Sequence, residues 1–147
     1  MNNDYHAILR LMNEYCYRVD QGDLDGFADL FSHAKFAIMG DPDGAMNGRD
    51  EVRAYLNRVI LYDGKPLTKH VSTNVQIDIA DNQQQASAQS YTTVLQAVPP
   101  DFPMQPIFAG HYHDQFEKVD NEWRFKERQI SADLIGDLSV HLSEALN

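Results

Sequence analysis

The chain has 147 residues, 43% of them hydrophobic, and a formal net charge of −10 at pH 7. That length supports one globular domain over residues 1–147 with a single core. The acidic balance, with no lysine or arginine cluster to offset it, argues against nucleic acid and anionic membrane surfaces as partners. No apolar run approaches a membrane span, and the N-terminus lacks the basic start and apolar stretch of a secretion signal. With Cys16 as the only cysteine, no intrachain disulfide can form, and the expectation is a cytoplasmic protein.

Residues 5–20 read as an amphipathic helix. Tyr5, Ile8, Leu9, Met12, Cys16 and Val19 recur at three- and four-residue spacings and form one apolar stripe. Tyr15 and Asp20 fall on opposite edges of it, so both can border whatever the stripe covers. Cys16 lies on the stripe and reads as a small core residue rather than a nucleophile. Gln21-Gly22 ends the helix, and Asp23 can cap a short second one whose buried side is Leu24, Phe27, Ala28 and Phe31.

Residues 34–39 form a strand candidate, residues 40–44 a turn, and residues 45–47 pair back. A third helix is expected from about Asp50 to Leu61. Four strand-like segments follow at roughly 67–80, 85–98, 106–119 and 122–134, and residues from Ser139 onward suit a short terminal helix. Helices followed by an antiparallel meander define an α+β fold, not a parallel βαβ one.

The chemistry-bearing residues begin with His70 at the head of the first long strand and Asp20 at the end of the first helix. A neutral imidazole is a usable base near pH 7, and a carboxylate on its other nitrogen fixes the tautomer and stabilises the cation. One pattern opposes a catalytic His70. Val71, Thr73, Val75, Ile77 and Ile79 alternate with His70, Ser72, Asn74, Gln76 and Asp78, which puts His70 on the polar face. A solvated sheet side, a polar cavity or a register-switching bulge would each produce this pattern.

His111 and His113 share a strand face and could hold a metal with a third ligand such as His70 or Glu117. No compact motif supports that, and the pair is expected on the outer side, opposite Tyr112. Tyr112 shares its face with Phe108 and Phe116, so pocket wall and core packing both account for it; Asp114, on the same face, is expected to make a structural hydrogen bond. Neither a Gly-rich phosphate loop nor a Gly-x-Ser-x-Gly run is present, and no cofactor is expected.

Several stretches together resemble the nuclear transport factor 2-like superfamily, and within it the SnoaL-like group. They are Tyr15-Cys16-Tyr17-Arg18-Val19-Asp20-Gln21-Gly22-Asp23, Gly48-Arg49-Asp50-Glu51-Val52, Lys69-His70-Val71-Ser72-Thr73-Asn74, Gly110-His111-Tyr112-His113-Asp114-Gln115-Phe116 and Trp123-Arg124-Phe125 leading to Arg128. The resemblance implies a cone: a curved, mixed and largely antiparallel sheet wrapped round the first helices, of the cystatin-like type, with a pocket at its mouth. Hexachlorocyclohexane dehydrochlorinase, scytalone dehydratase and bile-acid 7α-dehydratase, all of this superfamily, pair a helix Asp with a strand His. Asp20 and His70 match those positions. Tyr15 matches a pocket tyrosine of the bile-acid enzyme, and Arg128 an arginine lining the dehydrochlorinase pocket. The two dehydratases carry a further acid–base residue on the strand matching 85–98, where this chain offers only Tyr91, Thr93 and Gln96.

The resemblance therefore implies a cofactor-independent lyase or isomerase acting on a small, mostly apolar cyclic compound. Its site would be Asp20 and His70 as the acid–base pair, with Tyr15, Tyr112 and Arg128 holding the substrate. The alternatives are a non-catalytic small subunit and a hydrophobic-ligand-binding module of the same fold. A homodimer or homotrimer is expected, because an outer sheet row of Val71, Val75 and Ile77 would otherwise face water.

Overall fold

The computed structural model describes residues 3–143. Its first helix, α1 (Asp4–Asp20), buries the stripe: Ile8 and Met12 are fully enclosed, and Tyr15, Cys16 and Val19 nearly so. Gly22 ends it in the left-handed region at φ +80°, and a Cβ there would collide with the Gly64 carbonyl oxygen. Only glycine fits both the turn and this close approach. The helix end is thereby pinned against the loop that leads into the first long strand. Asp23 caps α2 (Leu24–Asp29) by accepting from the Gly26 N–H.

β1 (Lys35–Ile38) and β2 (Ala45–Asn47) form the short hairpin, and α3 (Gly48–Tyr55) follows it. That helix is shorter than the apolar spacing suggests. It tightens to a 3₁₀ turn at Leu56–Arg58, and Val59 turns extended at ψ 125° to pair with Leu142 of the C-terminal tail. The tail's pairing overrides helical continuation. Residues 139–143 form a turn and this bridge rather than a helix; residues 144–147, the rest of the expected terminal helix, lie outside the described residues.

The meander is β3 (Thr68–Ile79), β4 (Gln85–Val98), β5 (Phe102–Val119) and β6 (Glu122–Ile135). With β1 and β2 it makes one curved six-stranded sheet in the order β2-β1-β6-β5-β4-β3, antiparallel except where β1 runs parallel to β6. The architecture is the expected α+β one. β5 starts four residues earlier than its apolar pattern implied: Phe102 pairs with Val98, and Pro106 is accommodated beside a register shift where its missing N–H does no harm.

The alternation puzzle in β3 resolves at a bulge. Asn74 sits at φ +55° and the pairing with β4 shifts between Thr73 and Gln76. Before the bulge Thr68, His70 and Ser72 point inward; after it Val75, Ile77 and Ile79 do, packed against the main core. One extra residue exchanges the faces, so one strand supplies polar groups to one end of the cone and apolar groups to the other. This corrects the premise for oligomerisation: Val75 and Ile77 belong to the core, and Val71 alone of the three faces out, 39% exposed.

Candidate active site

α1 and the inward half of β3 meet at Asp20 and His70. The Asp20 carboxylate receives three hydrogen bonds. His70 Nδ1–H donates to Oδ1 at 2.6 Å, the Thr68 hydroxyl donates to the same oxygen at 2.7 Å, and the His70 backbone N–H donates to Oδ2 at 2.7 Å. Both side chains are nine-tenths buried, His70 at 10% exposed and Asp20 at 9%. Burial alone would raise the Asp20 pKa. The hydrogen bond and charge of His70, its backbone N–H and the Thr68 hydroxyl together outweigh it and hold the carboxyl below its usual value. An ionised carboxylate only accepts, so Nδ1 carries the proton and Nε2 is left as the basic nitrogen.

His70 lines a cavity of about 130 Å³ enclosed by the helices, the inner face of the sheet and the C-terminal tail. Most of its wall is apolar, with Val19, Phe27, Phe36, Val94, Phe108 and Ile130 contributing. The polar groups that reach it are few: Tyr15 from α1, Tyr55 and Arg58 at the end of α3, Tyr112 from β5, and the two imidazoles of His70 and His141. Tyr15 and Tyr112 lie with ring centroids 5.5 Å apart, and the Tyr15 ring is 6.4 Å from His70. Burial raises the pKa of both phenols, so they stay neutral, as hydrogen-bond donors rather than bases.

Arg128 does not line this cavity. It is fully buried, and its guanidinium forms a two-pronged ion pair with Asp114, Nε to Oδ1 at 2.7 Å and Nη2 to Oδ2 at 2.8 Å. It lies 3.8 Å from the Tyr112 ring centroid and 4.3 Å from that of Tyr15. Burial works against its charge, but the Asp114 carboxylate more than compensates. The expected substrate anchor is thus a core residue, walled off by the two tyrosines it stacks on. Its contribution to the site is to fix their rings. Asp114 takes the structural hydrogen bonds expected of it.

The His111 and His113 rings lie side by side on the outer face, centroids 4.2 Å apart and tilted by 33°, with Tyr91 beside His111. No third His, Cys, Asp or Glu completes a metal-holding group there among the described residues. Cys16 is buried, 3.5 Å from the Ser72 hydroxyl, and burial raises its thiol pKa, the opposite of an activated nucleophile.

His141 is the residue that sequence reasoning missed. It comes from the tail after β6, is 9% exposed, and its ring centroid is 6.4 Å from that of His70. Its only sequence signal is a histidine set among Val140 and Leu142 after Gly136, which reads equally as a helix face. Among the described residues, no helix is long and apolar enough to cross a membrane.

The SnoaL-like domain family matches residues 2–129. No curated protein matches the sequence. Among solved structures, an NTF2-like protein with a cystatin-like fold from Novosphingobium aromaticivorans superposes at TM-score 0.73 with 17% identity, over 94% of this chain and 86% of that one. A second protein of that organism, provisionally described as a scytalone dehydratase, gives TM-score 0.73 at 25% identity, over 91% and 87%. LinA gives TM-score 0.72 at 18% identity, over 92% and 89%.

Proposed function

For a chain that belongs to the SnoaL-like domain family, we propose catalysis without a cofactor: a lyase or isomerase that removes a proton from a small, mostly apolar cyclic compound. The observation that carries this reading is the His70–Asp20 contact at 2.6 Å on the wall of an apolar cavity. His70 Nε2 takes the proton from carbon. Asp20 keeps that nitrogen free by holding Nδ1–H, and stabilises the imidazolium that forms. The C–H electron pair becomes a new π bond, while the pair of the adjoining bond leaves with a departing group or, in a carbonyl compound, the C=O π pair settles on its oxygen. Neutral Tyr15 and Tyr112 are hydrogen-bonded to each other, and the hydroxyl proton that this pair leaves free is donated to the substrate. Positioned proton transfer of this kind contributes roughly 10²–10⁴-fold in rate. The similarity to a protein described as a scytalone dehydratase supports the elimination branch.

A binding module of the same fold would need the apolar wall but not a buried, three-fold hydrogen-bonded carboxylate behind a histidine. A homodimer or homotrimer stays part of the proposal. It now rests on the outward row Val71, Thr93, Ala109 and Leu134, which the pairing aligns across four strands.

The test uses nitrobenzisoxazole, whose ring opens when a base removes its one acidic C–H. Wild type should exceed His70→Gln by about 10²-fold or more in turnover. Equal rates in the two proteins would remove His70 from the chemistry.

A further inference from the structure

Proton removal by His70 leaves His141 unused. We infer that it is a second functional group of the same cavity, a neutral Nε2–H donor that stabilises negative charge on a substrate oxygen while His70 takes the proton. This rests on His70 being the base.

Four observations carry it. First, the ring is held in place by a strapped tail. The His141 carbonyl accepts from the Ile60 N–H at 2.9 Å, the Ser143 N–H donates to the Arg58 carbonyl at 2.8 Å, and the Val140 carbonyl accepts from the Tyr62 hydroxyl. Such anchoring gives a side chain a fixed aim.

Second, its two nitrogens are unlike. Nδ1 is sealed from solvent and has no hydrogen-bond partner among the described residues, which leaves Nε2 for the cavity the ring lines. A buried orphan N–H is rarer than a buried bare lone pair. The proton therefore belongs on Nε2, and His141 presents a donor where His70 presents an acceptor.

Third, no carboxylate backs it. Burial, reinforced by the nearby His70, lowers its pKa to about 4. It stays neutral at pH 7 and is a poor base, but its N–H remains available at no charge cost, the arrangement that suits an electrophile beside a separate base.

Fourth, the ring centroids are 6.4 Å apart. That spacing lets two nitrogens act on substrate atoms one or two bonds apart, each within about 3 Å of its own partner. In the step, the C–H bond breaks and its proton passes to His70 Nε2. The electron pair forms a C=C bond and the adjoining C=O electrons move to oxygen, which accepts a hydrogen bond from His141 without taking its proton. The chemical class implied is a cyclic ketone or enone, or another ring compound whose developing charge rests on one oxygen.

The experiment is calorimetric binding of para-nitrophenolate, an apolar ring carrying one anionic oxygen, with nitrobenzene as its neutral counterpart. Neither ligand needs to be turned over. His141→Phe should weaken para-nitrophenolate by about tenfold or more, the loss of one hydrogen bond to a charged oxygen. It should leave nitrobenzene unchanged, and His141→Gln, which restores an N–H, should recover part of the loss. Equal weakening of both ligands in His141→Phe, no weakening of either, or no para-nitrophenolate binding by wild type would overturn the inference. His70→Gln should keep the preference for the anion even as it loses the elimination, so failure of the base and failure of the donor are read separately.

Discussion

Asp20 grips His70 at two atoms of one residue: Oδ1 accepts from the ring Nδ1–H at 2.6 Å and Oδ2 from the backbone N–H at 2.7 Å. The carboxylate therefore fixes both where β3 begins and how its imidazole is turned. A link to the ring alone would orient the side chain but leave the strand free to slide.

That double contact makes Asp20 a stability group as well as a positioning one. Its folded-state pKa is lowered, so the ionised form favours the folded chain. The contribution is complete above the unfolded value of about 3.9 and is lost as pH falls through the lower folded value. Asp20→Asn should be less stable than wild type at pH 7, with the gap closing below about pH 4. Urea denaturation across pH gives the comparison; a gap that does not change with pH would mean the charge is immaterial.

His141 titrates with the opposite chemistry but the same slope. Its folded pKa of about 4 lies below the unfolded value of about 6.5. Between those values the unfolded chain binds the proton and the folded chain does not, so stability is full above about pH 6.5 and falls by up to about 3 kcal/mol on the way to pH 4. The titratable or charged groups sharing its cavity are His70, Tyr15, Tyr55, Tyr112 and Arg58, with Asp20 behind His70. The slope that His141→Phe removes is the part owed to His141. Identical pH profiles for the two proteins would contradict its neutral burial.

The Arg128–Asp114 pair should behave as a buried couple. Removing one partner leaves an uncompensated charge, so Arg128→Met should cost about 3–5 kcal/mol. Adding Asp114→Leu should return much of that. A double variant as unstable as the sum of the singles would show that the two side chains do not act as a pair.

Gly22→Ala tests the seat of the helix end. Alanine meets both a left-handed backbone and the Gly64 carbonyl, so a loss well above the ~1 kcal/mol of an ordinary glycine substitution is expected. Because Asp20 lies two residues away, a loosened His70 contact should accompany it. Thermal melts give the first effect, the His70 ring resonances the second.

The stripe on α1, the Gly22 stop, the hairpin and the meander are local patterns, and each was legible. So was the separation of His111 from Tyr112 onto opposite sheet faces. The matching of Asp20 with His70 rested on resemblance, because strict alternation in β3 spoke against it. The bulge at Asn74 that reverses the faces has no marker stronger than one asparagine. Arg128 was misplaced because an arginine enclosed completely is unusual, and its enclosure depends on Asp114 across a strand pair. His141 was hidden because its tail pairs with Val59, a contact that no local period encodes.

By holding His70 Nδ1–H, Asp20 leaves Nε2 as the free, basic nitrogen. Nitrogen-15 NMR of the histidine rings reads this directly. At neutral pH wild-type His70 should show the Nδ1–H tautomer, with Nε2 bare, and Asp20→Asn should move the population toward Nε2–H. An Nε2–H tautomer in the wild type, or a tautomer ratio indifferent to the Asp20 change, would mean that Asp20 does not set the basic nitrogen.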